Sequence, residues 1–278
     1  MLRGLYSSTG GMISEMYRTD CIANDLANVD TTGYKRTEAT FTAYPRDMYN
    51  RIKDAMEQIG PMPIPRPTPI GVMGTGVMVN DTITIFEQGR LEKTDNSTDM
   101  ALNGEGFFTL VNDKGEARLS RNGSFTMDGT GTLVDHNGWR LASIPSGAVL
   151  PETTPLIDGA GKLAVQAAPL KLDPMTPFTV TGEGMVMQEG TLVGRIAISR
   201  VDRPGTLIRV GHNQYDLGQN SAFQTTQTGI SQGYLEGSNV NPVKALVNLI
   251  SAQRAYEANQ KSIVSQDESL ARLLAIPK

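Results

Sequence analysis

The chain has 278 residues, with 25 Lys and Arg against 29 Asp and Glu and a formal net charge of −4. This balance excludes the basic footprint of a nucleic-acid-binding domain. No apolar run reaches the ~20 residues of a membrane span. The first 20 residues lack the apolar core and cleavage site of a signal peptide, so we expect a cytoplasmic chain or one exported without cleavage.

The composition is that of a folded protein with many turns. Hydrophobic residues make up 39% and charged residues 19%, and the chain contains 29 Gly and 15 Pro but only 6% aromatic residues. A chain of this length buries a sizeable core. The abundance of Gly and Pro favours short strands and turns over a helical bundle.

Residue types that carry chemistry are scarce. The single cysteine, Cys21, excludes an internal disulfide, and we interpret it as a small buried hydrophobe rather than a nucleophile. His136 and His212 lie in turn-like contexts without metal-ligand spacing. No nucleotide-binding motif or paired catalytic carboxylates occur. The sequence therefore predicts no enzyme, no cofactor and no metal site.

The N-terminal segment carries a heptad pattern. Apolar or small residues recur three and four residues apart over nearly four repeats, at Leu2, Leu5, Thr9, Met12, Met16, Thr19, Ala23 and Leu26. Gly10 and Gly11 each weaken an isolated helix by ~1 kcal/mol relative to alanine. The predicted helix therefore needs a partner to persist.

The C-terminal segment carries a similar pattern. Asn241-Pro242 predicts a helix start, and nothing interrupts the helix up to about residue 275. The seam positions are Leu246, Leu249, Gln253, Tyr256, Gln260, Ile263, Asp267, Leu270 and Leu274. The apolar stripe is widened by Val243, Val247, Ile250, Val264 and Leu273.

We expect the two terminal helices to pair with each other as a coiled coil and to leave their flanks to neighbouring chains. A purely intramolecular pair is the alternative. The polar seam residues Gln253, Gln260 and Asp267 favour a role beyond a two-helix clasp, because they are poor residues for a dry core.

Residues 34–75 are predicted to be a transition, with a possible short helix at 46–58. Five prolines follow at alternate positions within 61–69. Proline fixes φ and removes a backbone donor, so this run favours an extended, stiff linker. A polyproline ligand for a partner domain is the alternative.

Residues 76–233 have the pattern of an antiparallel β domain. Asn122-Gly123, Asp128-Gly129 and Asn137-Gly138 are hairpin signals between apolar runs. Further strands are predicted at 163–166, 178–181, 192–200 and 206–210. Strands at this spacing are typical of a sandwich or barrel-like module.

Three motifs resemble those of a known family. "IANDLANVDTTGYKR" (22–36) resembles the N-terminal signature of flagellar rod and hook proteins, with Asp25 where asparagine is usual. "GTGVMVNDTITIFEQGRLEKTDNSTDMALNGEGFFTL" (74–110) is similar to the middle motif of the family. "QGYLEGSNVNPVKALVNLISAQRAYEANQKSI" (232–263) is similar to its C-terminal signature. The chain is identified by these motifs as a member of the flagellar basal-body rod protein family.

The resemblance implies a fold of mixed α and β class. It implies a terminal-helix inner domain (1–33 with 238–278) paired as a coiled coil, a Pro-rich linker or transition (34–75) and a β-rich outer domain (76–237). "LEGSNVNPV" slightly favours the proximal-rod FlgF type, whereas "IANDLANV" and "SAQRAYEANQKS" also suit the distal-rod FlgG type.

The implied function is mechanical. Many copies would assemble into a hollow helical shaft of the basal body in the cell envelope, which transmits torque and surrounds the export channel. The implied partners are further copies, other rod and hook proteins, the flagellar type III export apparatus and ring or bushing proteins. Export would occur without a cleaved signal peptide.

The residues expected at the assembly interface lie in the two terminal segments. They are Leu5, Met12, Met16, Asn24, Leu26, Asn28, Val29, Gly33, Leu235, Asn239, Val240, Leu246, Leu249, Tyr256, Ile263 and Leu270. The apolar members would supply the driving force. Asn24 and Asn28 would hydrogen-bond between helices, and Gly33 would end the first helix.

Two other functions fit the sequence. A flagellar hook-like protein is one, although hook proteins are usually longer. A secreted β-rich binding module is the other, with Trp139 and Tyr215 as contact residues.

Overall fold

The computed structural model describes most of the chain. The described residues are 2–43, 47–51, 56–59, 62–65, 68–74, 76–146, 155–157, 162–163, 167–218, 222–224 and 228–275. Helix α1 spans Leu2–Ala27 and helix α2 spans Pro242–Leu274. Neither helix, within these residues, has the length and apolarity needed to cross a membrane.

Short strands occupy the chain between the helices. The first twelve are β1 (Thr37–Ala43), β2 (Asp47–Arg51), β3 (Met56–Ile59), β4 (Met62–Pro65), β5 (Thr68–Met73), β6 (Val77–Thr84), β7 (Leu91–Lys93), β8 (Met100–Asn103), β9 (Phe107–Val111), β10 (Ala117–Ser120), β11 (Thr126–Met127) and β12 (Leu133–Val134). The others are β13 (Arg140–Pro145), β14 (Pro155–Ile157), β15 (Ala168–Pro169), β16 (Phe178–Val180), β17 (Met185–Gln188), β18 (Thr191–Ile196), β19 (Ile198–Val201), β20 (Ile208–Gly211), β21 (Gln214–Asp216), β22 (Ala222–Gln224), β23 (Gly229–Gln232) and β24 (Tyr234–Glu236).

The first six strands are nested pairs. Strand β1 pairs with β6, β2 pairs with β5 and β3 pairs with β4, the last two antiparallel. The helix predicted at 46–58 is therefore wrong, because β2 and β3 occupy its place. Prolines fit β4 and β5 because each strand of a two-stranded ladder is an edge strand, where a missing backbone donor is tolerated.

A fourteen-stranded antiparallel network forms the main body of β structure. Its centre is β9, which pairs with β10, β13 and β19. Alternate residues of a strand point to opposite faces, so Phe108 and Leu110 enter one buried cluster and Phe107 enters the other. The β character predicted for 76–233 is confirmed over the described residues, including strands near 178–181, 192–200 and 206–210. Of the strand predicted at 163–166, only residue 163 is described.

The chain divides into two compact units. The helix unit contains Met1–Asn24, Glu38–Thr82 and Val243–Lys278. The β unit contains Asp25–Thr37 and Ile83–Pro242. The mixed α and β class predicted from the sequence is thus confirmed.

Within the helix unit, α1 and α2 run antiparallel and touch through small and polar residues. Ser8 Oγ donates to Ser262 Oγ at 3.3 Å. A Cβ placed on Gly11 would lie 2.9 Å from the Asn259 amide nitrogen, and one on Gly4 would lie 2.6 Å from that of Gln266. None of these three contacts involves a predicted seam position, so the pairing that they describe follows a different face of each helix. Gly11, which weakens an isolated helix, permits this close approach.

Candidate functional site

The three sequence motifs meet in the β unit at a buried ion cluster. Lys35 Nζ of the first motif lies 2.6 Å from Glu236 Oε1 of the third. Arg121 Nη1 lies 3.3 Å from Glu236 Oε2. All three side chains are at most 4% exposed. One carboxylate therefore holds two buried cations.

Backbone groups complete the cluster. Lys35 Nζ donates to Glu87 O at 2.6 Å, and Gly89 N donates to Glu236 Oε1 at 2.9 Å, both from the middle motif. Arg121 Nη2 donates to Gly104 O at 2.8 Å. Burial lowers the pKa of Lys35 and of Arg121, and the Glu236 carboxylate opposes both shifts. The cluster thus depends on Glu236 to offset the desolvation of its neighbours.

Two glycines allow backbone segments to pack closely together around the cluster. Gly33 has φ +67°, and a Cβ there would overlap the backbone of Arg121 and Asn122. Its N–H donates to Glu236 O at 2.7 Å. A Cβ on Gly89 would overlap the carbonyl of Gly237. The prediction that Gly33 ends the first helix is wrong, because α1 ends at Ala27 and turns follow it up to residue 33. Glycine is required here by the positive φ and by a close backbone approach that no larger residue permits.

The end of α1 is held by Asp25. This carboxylate is 7% exposed and accepts from Tyr34 Oη at 2.8 Å and from Thr37 N and Oγ1 at 3.1 Å. The Arg209 guanidinium stacks 4.5 Å from the Tyr34 ring centroid and donates to its hydroxyl at 3.4 Å. The departure from the usual asparagine therefore supplies an anion that accepts several donors at once.

Asn239 hydrogen-bonds the segment before α2 to the segments that contain Arg36 and Ile85. Its Oδ1 accepts from Arg36 N at 2.7 Å, and its Nδ2 donates to Ile85 O at 2.8 Å. Leu235 and Val240 on either side are half-buried. Asn239 thus uses its polar groups inside its own β unit.

Tyr34 and Tyr215 form a matched pair for a stability test. Both are 0% exposed, but the Tyr34 hydroxyl is hydrogen-bonded whereas the Tyr215 hydroxyl has no partner among the described residues. Tyr34→Phe should destabilise the protein by about 1–3 kcal/mol, and Tyr215→Phe should stabilise it by about 1 kcal/mol. Urea denaturation near pH 7 measures both, and a loss of stability in Tyr215→Phe would contradict the assignment.

Tyr215 should also make the stability of the protein fall at alkaline pH. Burial raises the pKa of Tyr215 from 10.0 to about 12. A group whose folded pKa is raised contributes stability that is complete below its unfolded pKa and is lost as the pH rises to its folded pKa. We expect about 3 kcal/mol to be lost between pH 10 and 12. Tyr215→Phe should remove this part of the slope.

Each terminal helix also presents an apolar face to solvent. On α1 the exposed residues are Tyr6 (70%), Ile13 (57%), Met16 (54%) and Tyr17 (40%). On α2 they are Val243 (71%), Leu246 (46%), Val247 (60%) and Ile250 (49%), spaced as one helical stripe, with Val264 (51%) and Leu274 (86%) further along the helix. On α2 this stripe lies opposite Ala245 and Ala252, which are buried. Both helices therefore expose apolar side chains on a face away from the small and polar residues through which they touch.

The predicted interface residues fall into three groups. Met16, Asn24 and Leu246 are exposed. Gly33 is buried within its own β unit. The remaining members are half-buried: Leu5, Met12, Leu26, Asn28, Val29, Leu235, Asn239, Val240, Leu249, Tyr256, Ile263 and Leu270. The predicted interface residues therefore do not form a single exposed surface in the monomer.

Other predicted positions are also located. His136 and His212 lie in turns. Cys21 is half-buried rather than buried. Over the part of the chain that the structure describes, no group of three or more His, Cys, Asp and Glu is arranged to hold a metal. Tyr215 is wrong as a contact residue of a binding module because it is fully buried, and Trp139 is half-buried with the Arg118 guanidinium 4.4 Å from its ring centroid.

Sequence reasoning missed the ion cluster and the outer stripe of α1. Lys35 and Glu236 lie within the quoted motifs, but the sequence alone does not distinguish a buried charged residue from an exposed one. Tyr6, Ile13 and Tyr17 form a second apolar pattern at helical spacing, which overlaps the heptad pattern. This second pattern is the signal that could have identified the outer stripe of α1.

The terminal helices leave apolar side chains exposed, and the motif residues meet in a buried ion cluster of the β unit. Exposed apolar helix faces are a feature of a subunit of a larger assembly. Comparison with known proteins agrees. The family described as "Flagella basal body rod protein" matches residues 5–35, "Flagellar hook protein FlgE/F/G D1 domain" matches 101–198, and "Flagellar basal body rod FlgEFG protein C-terminal" matches 231–276.

Curated relatives match over nearly the whole chain. The flagellar basal-body rod protein FlgG of Buchnera aphidicola subsp. Schizaphis graminum is 35% identical, over 98% of this chain and 99% of the relative. FlgF of Caulobacter vibrioides is 34% identical, over 94% and 92%. FlgG of Borreliella burgdorferi is 31% identical, over 97% of each chain. The chain belongs to the flagellar basal-body rod protein family.

Proposed function

We propose that this chain is a structural subunit of the basal-body rod that polymerises through its terminal helices into a hollow helical shaft. The observation that carries the proposal is the exposed apolar stripe on the outer side of α2, matched by one on α1. A single chain leaves these stripes in water, whereas stacked copies would cover them.

The energetics favour assembly. Burying one large apolar side chain contributes about 1.5–3 kcal/mol. Burial of several residues of a stripe would therefore contribute more free energy than the ordering of a helix end against a neighbour costs. Heterologous contacts whose rotation does not close produce an open filament rather than a ring. The half-buried seam residues and Asn24 would set the register of these contacts, as polar positions do in coiled coils.

In this proposal the two terminal helices form the inner domain around the channel and the β-rich region lies outside. Strands β1–β6 belong with the inner part, because the helix unit includes residues 38–82. The partners are further copies and other rod and hook proteins, and the chain is delivered by the flagellar export apparatus to the cell envelope without loss of an N-terminal signal. The role is structural rather than catalytic.

We favour the FlgG type over the FlgF type expected from the C-terminal motif. The FlgG relative of Buchnera aphidicola subsp. Schizaphis graminum matches over 98% of this chain and 99% of its own length, against 94% and 92% for the FlgF relative of Caulobacter vibrioides. The identities of 35% and 34% do not separate the two types.

Deletion of the gene in its own bacterium tests the proposal. We expect loss of motility and basal bodies whose shaft stops at the level where this subunit begins, as seen by electron cryotomography. A plasmid copy should restore the shaft, and the length of the truncated shaft should identify the type. Intact, full-length rods in the deletion strain would overturn the structural role.

A further inference from the structure

The contacts between α1 and α2 fix the level of every residue of one helix against the other. They join Gly4 to Gln266, Ser8 to Ser262 and Gly11 to Asn259. The two residue numbers of each contact add up to 270, as expected for antiparallel helices of equal rise. One residue forward along α1 therefore corresponds to one residue back along α2.

The outer stripes of the two helices lie at different levels within one chain. Ile13, in the outer stripe of α1, is level with residue 257 of α2 by these contacts. Val247, in the outer stripe of α2, lies ten residues before that level, which is about 15 Å along the helix axis. Ile13 is 57% and Val247 60% exposed. The two stripes of one chain therefore cannot cover each other.

The outer face of α2 is basic at the edges of its stripe. Lys244 and Arg254 are exposed, and residues 242–256 include no Asp or Glu. Arg254 follows Ile250 by four residues, so it continues the stripe on the same face. Two α2 stripes that faced each other would bring these like charges together.

The outer face of α1 carries an acid and aromatic rings. Asp20 is exposed and follows Met16 by four residues, which places it on the outer face. Tyr6 is 70% exposed at the other end of the stripe. The nearby cation Arg18 lies 3.9 Å from Glu15 of its own helix. The charges of the α1 face thus complement those of the α2 face.

We infer that the outer stripe of α1 packs against the outer stripe of α2 of a neighbouring copy, which is shifted by about 15 Å along the helix axis. This inference rests on the proposed function and names the two surfaces that meet. The shift brings Ile13 level with Val247 of the neighbour. It also brings Tyr6 level with Arg254, where the cation can lie over the ring. Asp20 then lies beside the N-terminal end of α2, where the helix dipole favours an anion.

Such a contact can be repeated without limit. Each copy uses α1 towards one neighbour and α2 towards the other, so the contact is heterologous. Because every step adds the same shift along the helix axis, the row of copies cannot return to its starting level and close as a ring. The pairing of the two stripes therefore produces an open helix.

Disulfide cross-linking in rods tests the pairing. Ile13→Cys and Val247→Cys are combined with Cys21→Ser, because Cys21 is the only cysteine of the chain. Within one chain the two positions are about 15 Å apart along the axis, beyond the Cα separation of about 7 Å that a disulfide spans. A bond can therefore form only between copies. After oxidation of rods isolated from a complemented deletion strain, we expect a ladder of covalent dimers, trimers and longer chains.

Three controls test the surfaces and the shift. Either cysteine alone should give no covalent dimer, and a dimer from Val247→Cys alone would overturn the inference by showing two α2 stripes in contact. A ladder from Ile13→Cys with Glu257→Cys would overturn the shift, because exposed Glu257 is level with Ile13. Ser8→Cys with Ser262→Cys should close within one chain, and failure of this bond would contradict the levels that we assign.

Arg254→Gln provides a test without cysteines. Loss of its contact with Tyr6 should raise the protein concentration needed for assembly about two- to fivefold, as expected for one exposed cation–π contact. Arg272→Gln is the matched control and should leave assembly unchanged. Arg272 is exposed and pairs with Glu268 of its own helix, and the inferred shift places it beyond the end of the neighbour's α1. Equal effects of the two changes would contradict the pairing.

Failure of this inference is distinguishable from failure of the proposed function. Rods that give no ladder with the double cysteine variant would overturn the inference and leave the structural role standing. Absence of rods containing the wild-type chain would overturn the proposed function, and the inference with it. If the double variant builds no rods, co-expression of the two single variants replaces it. A covalent dimer is then expected, and its absence would count equally against the pairing.

Discussion

Replacing Glu236 by Gln should lower the free energy of unfolding of the β unit by about 3–5 kcal/mol, the cost of removing one partner from a buried ion pair. Glutamine has nearly the same shape but no charge. The change would leave Lys35 and Arg121 buried without a counter-ion within 4 Å in the described structure. Gly33 N binds the main-chain carbonyl of residue 236, and Gly89 N can still donate to the glutamine Oε1. The expected loss therefore comes from the two ion pairs.

Urea denaturation followed by Trp139 fluorescence measures this effect, since Trp139 is the only tryptophan of the chain and packs against a buried cluster. Glu92→Gln is the matched control. Glu92 faces Leu235 across the β7–β24 pair and is exposed, so its change should stay within about 0.5 kcal/mol. If Glu236→Gln lowered the free energy of unfolding as little as this control, the result would contradict the role of the ion cluster in holding the three motifs together.

Val247→Asp should prevent assembly while leaving the monomer folded. Val247 is 60% exposed and lies in the middle of the outer stripe of α2. A charge there costs the monomer little, because surface changes are usually within about 0.5 kcal/mol. In an assembled contact it would forfeit ~1.5–3 kcal/mol of apolar burial and add an unpaired charge to every subunit. The loss of assembly should therefore be complete.

Sedimentation of purified protein and motility of a complemented deletion strain are the measurements. Val247→Ile is the control at the same position, and it should assemble normally because it keeps the apolar surface. Helix content by circular dichroism should match the wild type in both variants. Normal rods built from Val247→Asp would contradict a role of this face in assembly. Leu26 and Leu249 are less informative targets, because both are half-buried in the monomer and a charge there would also perturb folding.

Several features of the fold could be predicted locally. Asn241-Pro242 predicted the start of α2, which begins at Pro242. Asp128-Gly129 and Asn137-Gly138 correctly marked the hairpin turns of the β11–β12 and β12–β13 pairs. Asn122-Gly123 was wrong as a hairpin signal, because β10 pairs with β9 and β21 rather than with β11. These signals depend on backbone conformation over a few residues, so a single sequence contains them. The prediction failed at 46–58, where charged and apolar residues at helical spacing form strands of a nested pair, since the partner strands lie up to 26 residues away.

The site was only partly predictable for a related reason. The heptad pattern correctly identified two apolar helices but not which face each would turn inward. The structure uses Gly4, Ser8 and Gly11 for the contact with α2, because small residues let two helices approach closely, and this leaves Tyr6, Ile13 and Val247 outside. Periodicity describes one helix at a time, whereas a packing face is chosen by the pair.

By itself the sequence determined the family, the two terminal helices and the β character of the middle, since motifs and periodicity are properties of short segments. Only the tertiary structure decided that Lys35, Arg121 and Glu236 share one buried cluster, although they are up to 201 residues apart. A buried charge is stable only with a partner at hydrogen-bond distance, and that distance is set by the folded backbone rather than by separation along the chain.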